Sequence, residues 1–334
     1  MTDIFKRRFP TLVIGLMLIS MVSNVQANYV DSPLYQPLVE NSSEPICYEP
    51  FYCETIFCEP CNEWIISFDL LYWRALQNGL ECGCRPEIKD KWDLGYRIGL
   101  EYDFTCPEWD ISAYWTHFHN QSHHGNHDGD HAHWKLKFNT IDCLIGREFS
   151  NNSCYNYTPF FGIRAVLINE KLNAHFGNCV SRSSCGDNSG NDSSSFDLSD
   201  EQFVITDQHH KEKFWGIGPQ IGIKADWKLG CNFSLYGSLG VGFLYGHFKV
   251  NVDDFESIPD PTDDGACHIE RSVHACRAIA DVSAGIQWAH CLCKNMEAIF
   301  KLGLEHHRYF NQNQIGGYGD LCLDGAIFSI GIKL

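Results

Sequence analysis

Residues 215–229 read "WGIGPQIGIKADWKL". Trp215, Ile217, Ile221, Ile223, Ala225 and Trp227 share one parity, while Gly216, Gly218, Gln220, Gly222, Lys224 and Asp226 take the other. Only Pro219 interrupts the apolar set. A period of two gives a β-strand with one apolar and one polar face. The two tryptophans close the apolar face at either end. Twelve residues at about 3.3 Å each, tilted by about 40°, rise roughly 30 Å, the thickness of a bilayer's apolar core. The stretch therefore reads as one membrane-crossing strand.

Nine further segments carry comparable alternation, giving ten in all: 63–76, 91–104, 108–119, 134–147, 158–176, 211–228, 231–250, 276–290, 295–310 and 321–334. Their connections alternate in length. Short ones fall near "TCPE", "SNNSCYNY", "KLGC" and "CLCK"; long ones cover 77–90, 120–133, 177–210, 251–275 and 311–320. Tight turns at one end and long loops at the other belong to an antiparallel outer-membrane β-barrel, here of about ten strands within a range of eight to twelve. The predicted barrel spans 63–334, and the "FVIT" of the third long loop leaves room for one more hairpin.

Parity alone does not say which face meets lipid, since a soluble barrel would reverse it. The aromatic residues decide. Trp64, Trp92, Trp109, Trp134, Trp215, Trp227 and Trp288 fall near strand ends, as girdle residues at the two membrane interfaces do. The polar face then lines the lumen, because a charge facing hydrocarbon at mid-membrane costs about 2–4 kcal/mol. Predicted pore-lining residues are Arg97, Glu101, Asp103, Arg164, Glu170, Lys224, Asp226, Asp281, Glu297, Lys301 and Glu305. The chain ends on "AIFSIGIKL", with Phe328, Ile330, Ile332 and Leu334 on one face, as a closing strand requires.

The amino terminus agrees with export. Lys6, Arg7 and Arg8 precede the apolar run "FPTLVIGLMLISMV", and "VQA" ends at Ala27, which predicts a cleavable signal peptide over 1–27 rather than a membrane anchor. Residues 28–62 form a Cys-rich segment expected in the periplasm. A net charge of −17 excludes nucleic acid as a partner, because phosphate binding needs a basic face.

Seventeen cysteines in an exported chain point to disulfides, within the chain or to neighbouring molecules. "CETIFCEPC" resembles a zinc ligand set, but no second CxxC stands at finger or ribbon spacing. Cys106, Cys154, Cys231, Cys291 and Cys293 fall in short turns, whereas Cys82, Cys84, Cys179, Cys185 and Cys267 fall in loops. An odd count leaves at least one thiol unpaired or bonded to another chain.

Residues 117–134, "HFHNQSHHGNHDGDHAHW", hold seven of the sixteen histidines. As part of the second long loop they are ordinary solvated residues. They also form a candidate weak site for a divalent transition metal, with His123, His124, His127, His131 and His133 as ligands and Asp128 or Asp130 assisting. No other cofactor is expected. An omptin-like protease would draw an Asp–His set from Asp128, Asp130 and His131, or from Asp207, His209 and His210; the sequence has no HExxH or GxSxG motif, and an enzyme is not expected.

Three stretches, "WIISFDLLYWRALQNGLEC" (64–82), "YTPFFGIRAVLINEKL" (157–172) and "FWGIGPQIGIKADWKLGCNFSLYGSLGVGFLYGHFKV" (214–250), resemble the Legionella-type major outer membrane protein family. The resemblance implies a porin-like barrel in the bacterial outer membrane, passing small hydrophilic solutes or ions, and transfers no catalytic residue. Its partners would be outer-membrane lipid and disulfide-linked or homo-oligomeric neighbours. The alternative function is a structural or surface-interaction protein cross-linked into the envelope.

Overall fold

The structure is a computed structural model, described over residues 63–78, 90–104, 109–125, 131–150, 154–177, 205–257, 265–293, 296–314 and 319–334. The expected signal peptide and Cys-rich segment lie outside these residues, as do His127, Asp128 and Asp130. The elements are β1 (Glu63–Gln77), β2 (Trp92–Asp103), β3 (Trp109–Gly125), β4 (His131–Arg147), β5 (Phe149–Ser150), β6 (Tyr155–Gly177), β7 (Ile205–Gly230), β8 (Phe233–Ser257), β9 (Gly265–Cys293), β10 (Met296–Asn313) and β11 (Gly319–Lys333).

Neighbours along the chain pair antiparallel, and β4 reaches past the two-residue β5 to pair with β6. The ring shuts where β1 meets β11, with Phe68 opposite Ile330 and Leu70 opposite Phe328. Ten strands thus make a closed barrel and β5 is an extra edge piece. Closure pairs the backbone groups of every strand, which is what hydrocarbon demands. The turn after β7 shows the local chemistry of a tight hairpin: Cys231 and Asn232 both take positive φ, 52° and 66°.

The outward face carries the apolar residues expected of it. Ile217, Ile221 and Ile223 are exposed on β7, Val241 and Phe243 on β8, Leu302 and Leu304 on β10, and Phe328 and Ile330 on β11. Trp215 and Trp227 are each about half exposed at the two ends of this band. Trp64, Trp92 and Trp288 join them, and Trp109 points the same way while partly covered. Trp115, which the sequence did not single out, is also outward and exposed.

Above Trp215 the pattern inverts. Lys213, Lys211 and His209 now face outward, while Phe214 and the residues of its parity turn in and are buried. The same inversion corrects the assignment of Trp134 to the lipid interface. That side chain points inward at 2% exposure, next to Leu136 and Phe138, while Lys135 and Lys137 point out. Beyond the hydrocarbon, water and headgroups surround the wall, so the apolar face belongs inside.

These upper extensions also shorten the expected loops. Strands β6 to β9 run for 23, 26, 25 and 29 residues. Residues 120–125 and 131–133, expected in a loop, continue β3 and β4 as a hairpin. Ile205 and Thr206 of "FVIT" open β7. Polar outward residues do not interrupt a ladder whose hydrogen bonds are made by the backbone, so the strands outlast their apolar patterning.

Inside, one apolar cluster fills the loop-end half. Leu71 and Trp73 from β1, Phe118 from β3, Leu136 and Phe138 from β4, Ile168 from β6, Phe214 from β7, Leu244 and Phe248 from β8, Tyr309 from β10 and Leu321 from β11 belong to it, each at most 2% exposed. The Phe214 ring lies across two paired glycines, Gly216 and Gly246, close enough that a Cβ on Gly246 would fall 2.5 Å from it. A Gly246→Val change is expected to displace that ring and to press on the Trp215 carbonyl oxygen, which stands closer still to the added Cβ. The cost is about 1–3 kcal/mol, read as a lower midpoint for loss of the folded, faster-migrating band on heating in detergent.

Candidate functional site

Below the apolar cluster, the turn-end half of the barrel holds an open cavity of about 910 Å³. Of the residues expected to line a pore, Arg97, Glu101, Asp103, Arg164, Lys224, Asp226, Asp281, Glu297, Lys301 and Glu305 border it. Glu170 does not. It is inward but lies in the packed upper half, fully buried, where Trp134 Nε1–H donates to its Oε2 at 3.4 Å. Glu212 faces it across the β6–β7 ladder and accepts the Gln314 backbone N–H at 2.9 Å.

At the junction between cavity and apolar cluster, charged groups form a continuous belt. Arg97 Nη1 and Nη2 grip the two oxygens of Glu305 at 2.9 and 3.0 Å, and Nη1 also reaches Asp69 at 3.4 Å. Arg97 Nε donates to Thr116 Oγ1 at 3.0 Å. From Glu305 the chain of contacts passes to His307 Nε2 at 3.3 Å, and His307 Nδ1 meets Asp281 at 2.8 Å. Arg164 Nη1 takes the other oxygen of Asp281 at 2.6 Å, and its Nε donates to Asp142. Gln220 Nε2 completes the belt by donating to Asp142 at 2.9 Å. Strands β1, β2, β3, β10, β9, β6, β4 and β7 are tied together in this way. The fork-shaped guanidinium suits such bridging, since one group can serve two carboxylates.

The belt also touches the apolar layer above it. Arg97 sits 5.8 Å over the Trp73 ring and His307 4.9 Å from the same ring. Nearer the turn end, Lys224 contacts Asp110, and Lys333 pairs with Glu63 at the seam of the barrel. Glu148, in the turn after β4, holds its proton more tightly than an ordinary carboxyl, first because it is partly buried and then because Asp226 is near. Carboxylates outnumber lysines and arginines in the lining.

Sequence reading missed Asp69, Asp142, Gln220 and His307. Their parity was legible: Asp142 alternates with Thr140 and Leu144, and His307 follows Glu305 by two. What was not legible is that Arg97 and Arg164, besides the directly opposed Asp69 and Asp142, would reach across the lumen to Glu305 and Asp281.

The histidines expected to act together are distributed differently. His123 and His133 stack at 4.0 Å across β3–β4, and His131 stacks on His175 at 5.0 Å. His124 is in β3, and His127 lies outside the described residues. No group of three or more His, Cys, Asp or Glu side chains stands ready for a metal among the described residues. The barrel wall splits the Asp–His set: Asp207 bonds His175, His209 is exposed, and His210 is buried against Asp254 at 2.8 Å.

A closed ten-strand ring with an apolar outer band and a charged interior defines a transmembrane β-barrel. Residues 56–324 match the family of the Legionella pneumophila major outer membrane protein precursor. The chain belongs to that family, and its place is the outer membrane. Among solved structures it is similar to the outer membrane protease OmpT from Escherichia coli, at 14% identity over 84% of this chain and 98% of that one, with a TM-score of 0.43. A major outer membrane protein from Thermus thermophilus matches at 10% identity over 82% and 100%, with a TM-score of 0.34. The attachment invasion locus protein Ail of Yersinia pestis matches at 13% identity over 82% and 99%, with a TM-score of 0.27. No curated protein matches the chain.

Arg164→Leu would strand Asp142 and Asp281 without their shared cation. Breaking such a buried pair costs about 3–5 kcal/mol, so the variant is expected to unfold at a clearly lower urea concentration in detergent, with Arg164→Lys intermediate because one ammonium cannot span both carboxylates.

Proposed function

We propose that the protein is an outer-membrane pore protein for small hydrophilic solutes and ions, exported by its amino-terminal leader, in which the apolar inner layer acts as the gate. The observation that supports this reading is the polarity change along one lumen. For its turn-end half the interior is charged and hollow; then a layer contributed by most of the strands fills it. A ten-stranded ring is only slightly wider than the eight-stranded size whose interior side chains just fill. Hydrophobic constrictions control conduction by excluding water. The acidic excess of the lining favours cations.

A second reading has its own support. A filled interior and strands continuing far above the membrane also suit an envelope protein whose work is mechanical or at the cell surface. Cys154 and Cys231, in or beside the periplasmic turns, are placed where disulfides would staple the barrel's base without disturbing its lipid face.

Planar-bilayer recording separates the two. The wild type is expected to show rare, small, cation-preferring steps. Truncating the touching pair Trp73 and Phe118, whose rings lie 5.6 Å apart, should raise open time or conductance by about tenfold while the folded band in electrophoresis persists. Glu305→Gln should reduce cation preference. A truncated variant that is folded yet silent would remove the pore reading, and cysteine-dependent multimers on non-reducing gels would then favour the mechanical one.

A further inference from the structure

We infer that the outward face of β4, β6 and β7, just above the aromatic belt, is a docking surface for the phosphorylated headgroups of outer-leaflet lipid. Two rows of cross-strand neighbours carry it. In the upper row Gln121, Lys135, Lys171, Lys211 and Asn251 follow one another across β3, β4, β6, β7 and β8. In the lower row the order is His119, Lys137, Asn169, Lys213 and Lys249. From β3 to β8 neither row contains a carboxylate, in a chain whose net charge is −17; on β9 the upper row continues to Glu270, which pairs with Lys249.

Directly opposed side chains on adjacent strands stand about 4.5–5.5 Å apart at Cβ, and like charges so placed repel. Lys135, Lys171 and Lys211 are three ammonium groups in such a line. Other lysines have found acids: Lys91 with Asp93, Lys224 with Asp110, Lys249 with Glu270 and Lys333 with Glu63. Among the described residues no ion pair involves Lys135, Lys137, Lys171, Lys211 or Lys213. Four of these five are exposed and Lys135 is partly so. A row of unneutralised cations is stable where anions are supplied from outside the protein.

Height selects the supplier. On β7, Lys213 and Lys211 stand two and four residues above the outward Trp215. At about 3.3 Å per residue and 40° of tilt, they lie roughly 5 and 10 Å above the belt. Headgroups occupy about 5–8 Å beyond each side of the hydrocarbon. The side chains are long enough to reach down along the wall, so both rows meet the phosphate layer.

The test is titration of the intact, folded barrel in detergent with diphosphorylated lipid A, followed by native mass spectrometry. A Lys135→Gln, Lys171→Gln, Lys211→Gln variant is expected to bind about tenfold more weakly than wild type, and wild type should show the same loss towards lipid A stripped of phosphate. Unchanged mobility of the folded band confirms that the variant is intact, and a Lys135→Arg, Lys171→Arg, Lys211→Arg variant should retain binding. Equal binding by wild type and the Gln variant overturns the inference. Equal binding of phosphorylated and stripped lipid overturns it too, and so does displacement by inorganic phosphate at concentrations matching the lipid, which would mark a free-anion site.

Discussion

A backbone amide in hydrocarbon must find its partner within the protein, and that constraint underlies everything else in this molecule. It forces the ring to close at β1–β11 and to bypass β5 at β4–β6. Once closed, each strand offers only two directions to its side chains, and the surroundings decide which residues take which. Opposite lipid the apolar side faces out; the charges left inside satisfy one another through Arg97 and Arg164. The belt they form is a consequence of enclosure, because ions in a narrow, half-dry interior cannot rely on bulk water.

The interior is layered by the same logic. Where the outer wall is greasy, the lumen is charged and hollow; where the wall rises clear of hydrocarbon, the lumen is packed, largely with apolar side chains around a few buried polar ones such as Glu170 and Glu212. Trp73 and Tyr309 sit at the boundary: Trp73 touches the Arg97 guanidinium, the His307 imidazole and the Phe118 ring, and Tyr309 packs on Phe138. The barrel is thus a membrane protein in its lower part and closer to a soluble barrel in its upper part. A gate placed at such a boundary needs no added plug, only the side chains that already hold the upper wall together.

Much of this was legible in the sequence. Residues 215–229 fixed strand type, the outward face and the span, and ten of the eleven charged residues assigned to the lumen border the cavity. Trp134 and Glu170 show where the reading stopped. Both belong to the segment in which outside and inside exchange polarity, and a rule that sends every tryptophan at a strand end to the membrane surface has no term for that exchange. The lengths of the upper strands were hidden for a related reason. Residues such as Asn120, Gln121, Ser122 and Asp253 look like loop in a linear reading, yet backbone pairing keeps them extended. The long-range partners of Arg97 and Arg164 depend on barrel stagger, which alternation along single strands does not encode.

The unequal strand lengths leave one further mark. β1 and β2, with 15 and 12 residues, finish close to the level of the headgroups, while β6 to β9 climb well beyond it. Among the described residues the rim is therefore a one-sided parapet. Most of the described wall that stands above the aromatic belt belongs to four neighbouring strands. Substitutions there can change the surface beyond the bilayer while the lipid-bound wall beneath keeps its pattern.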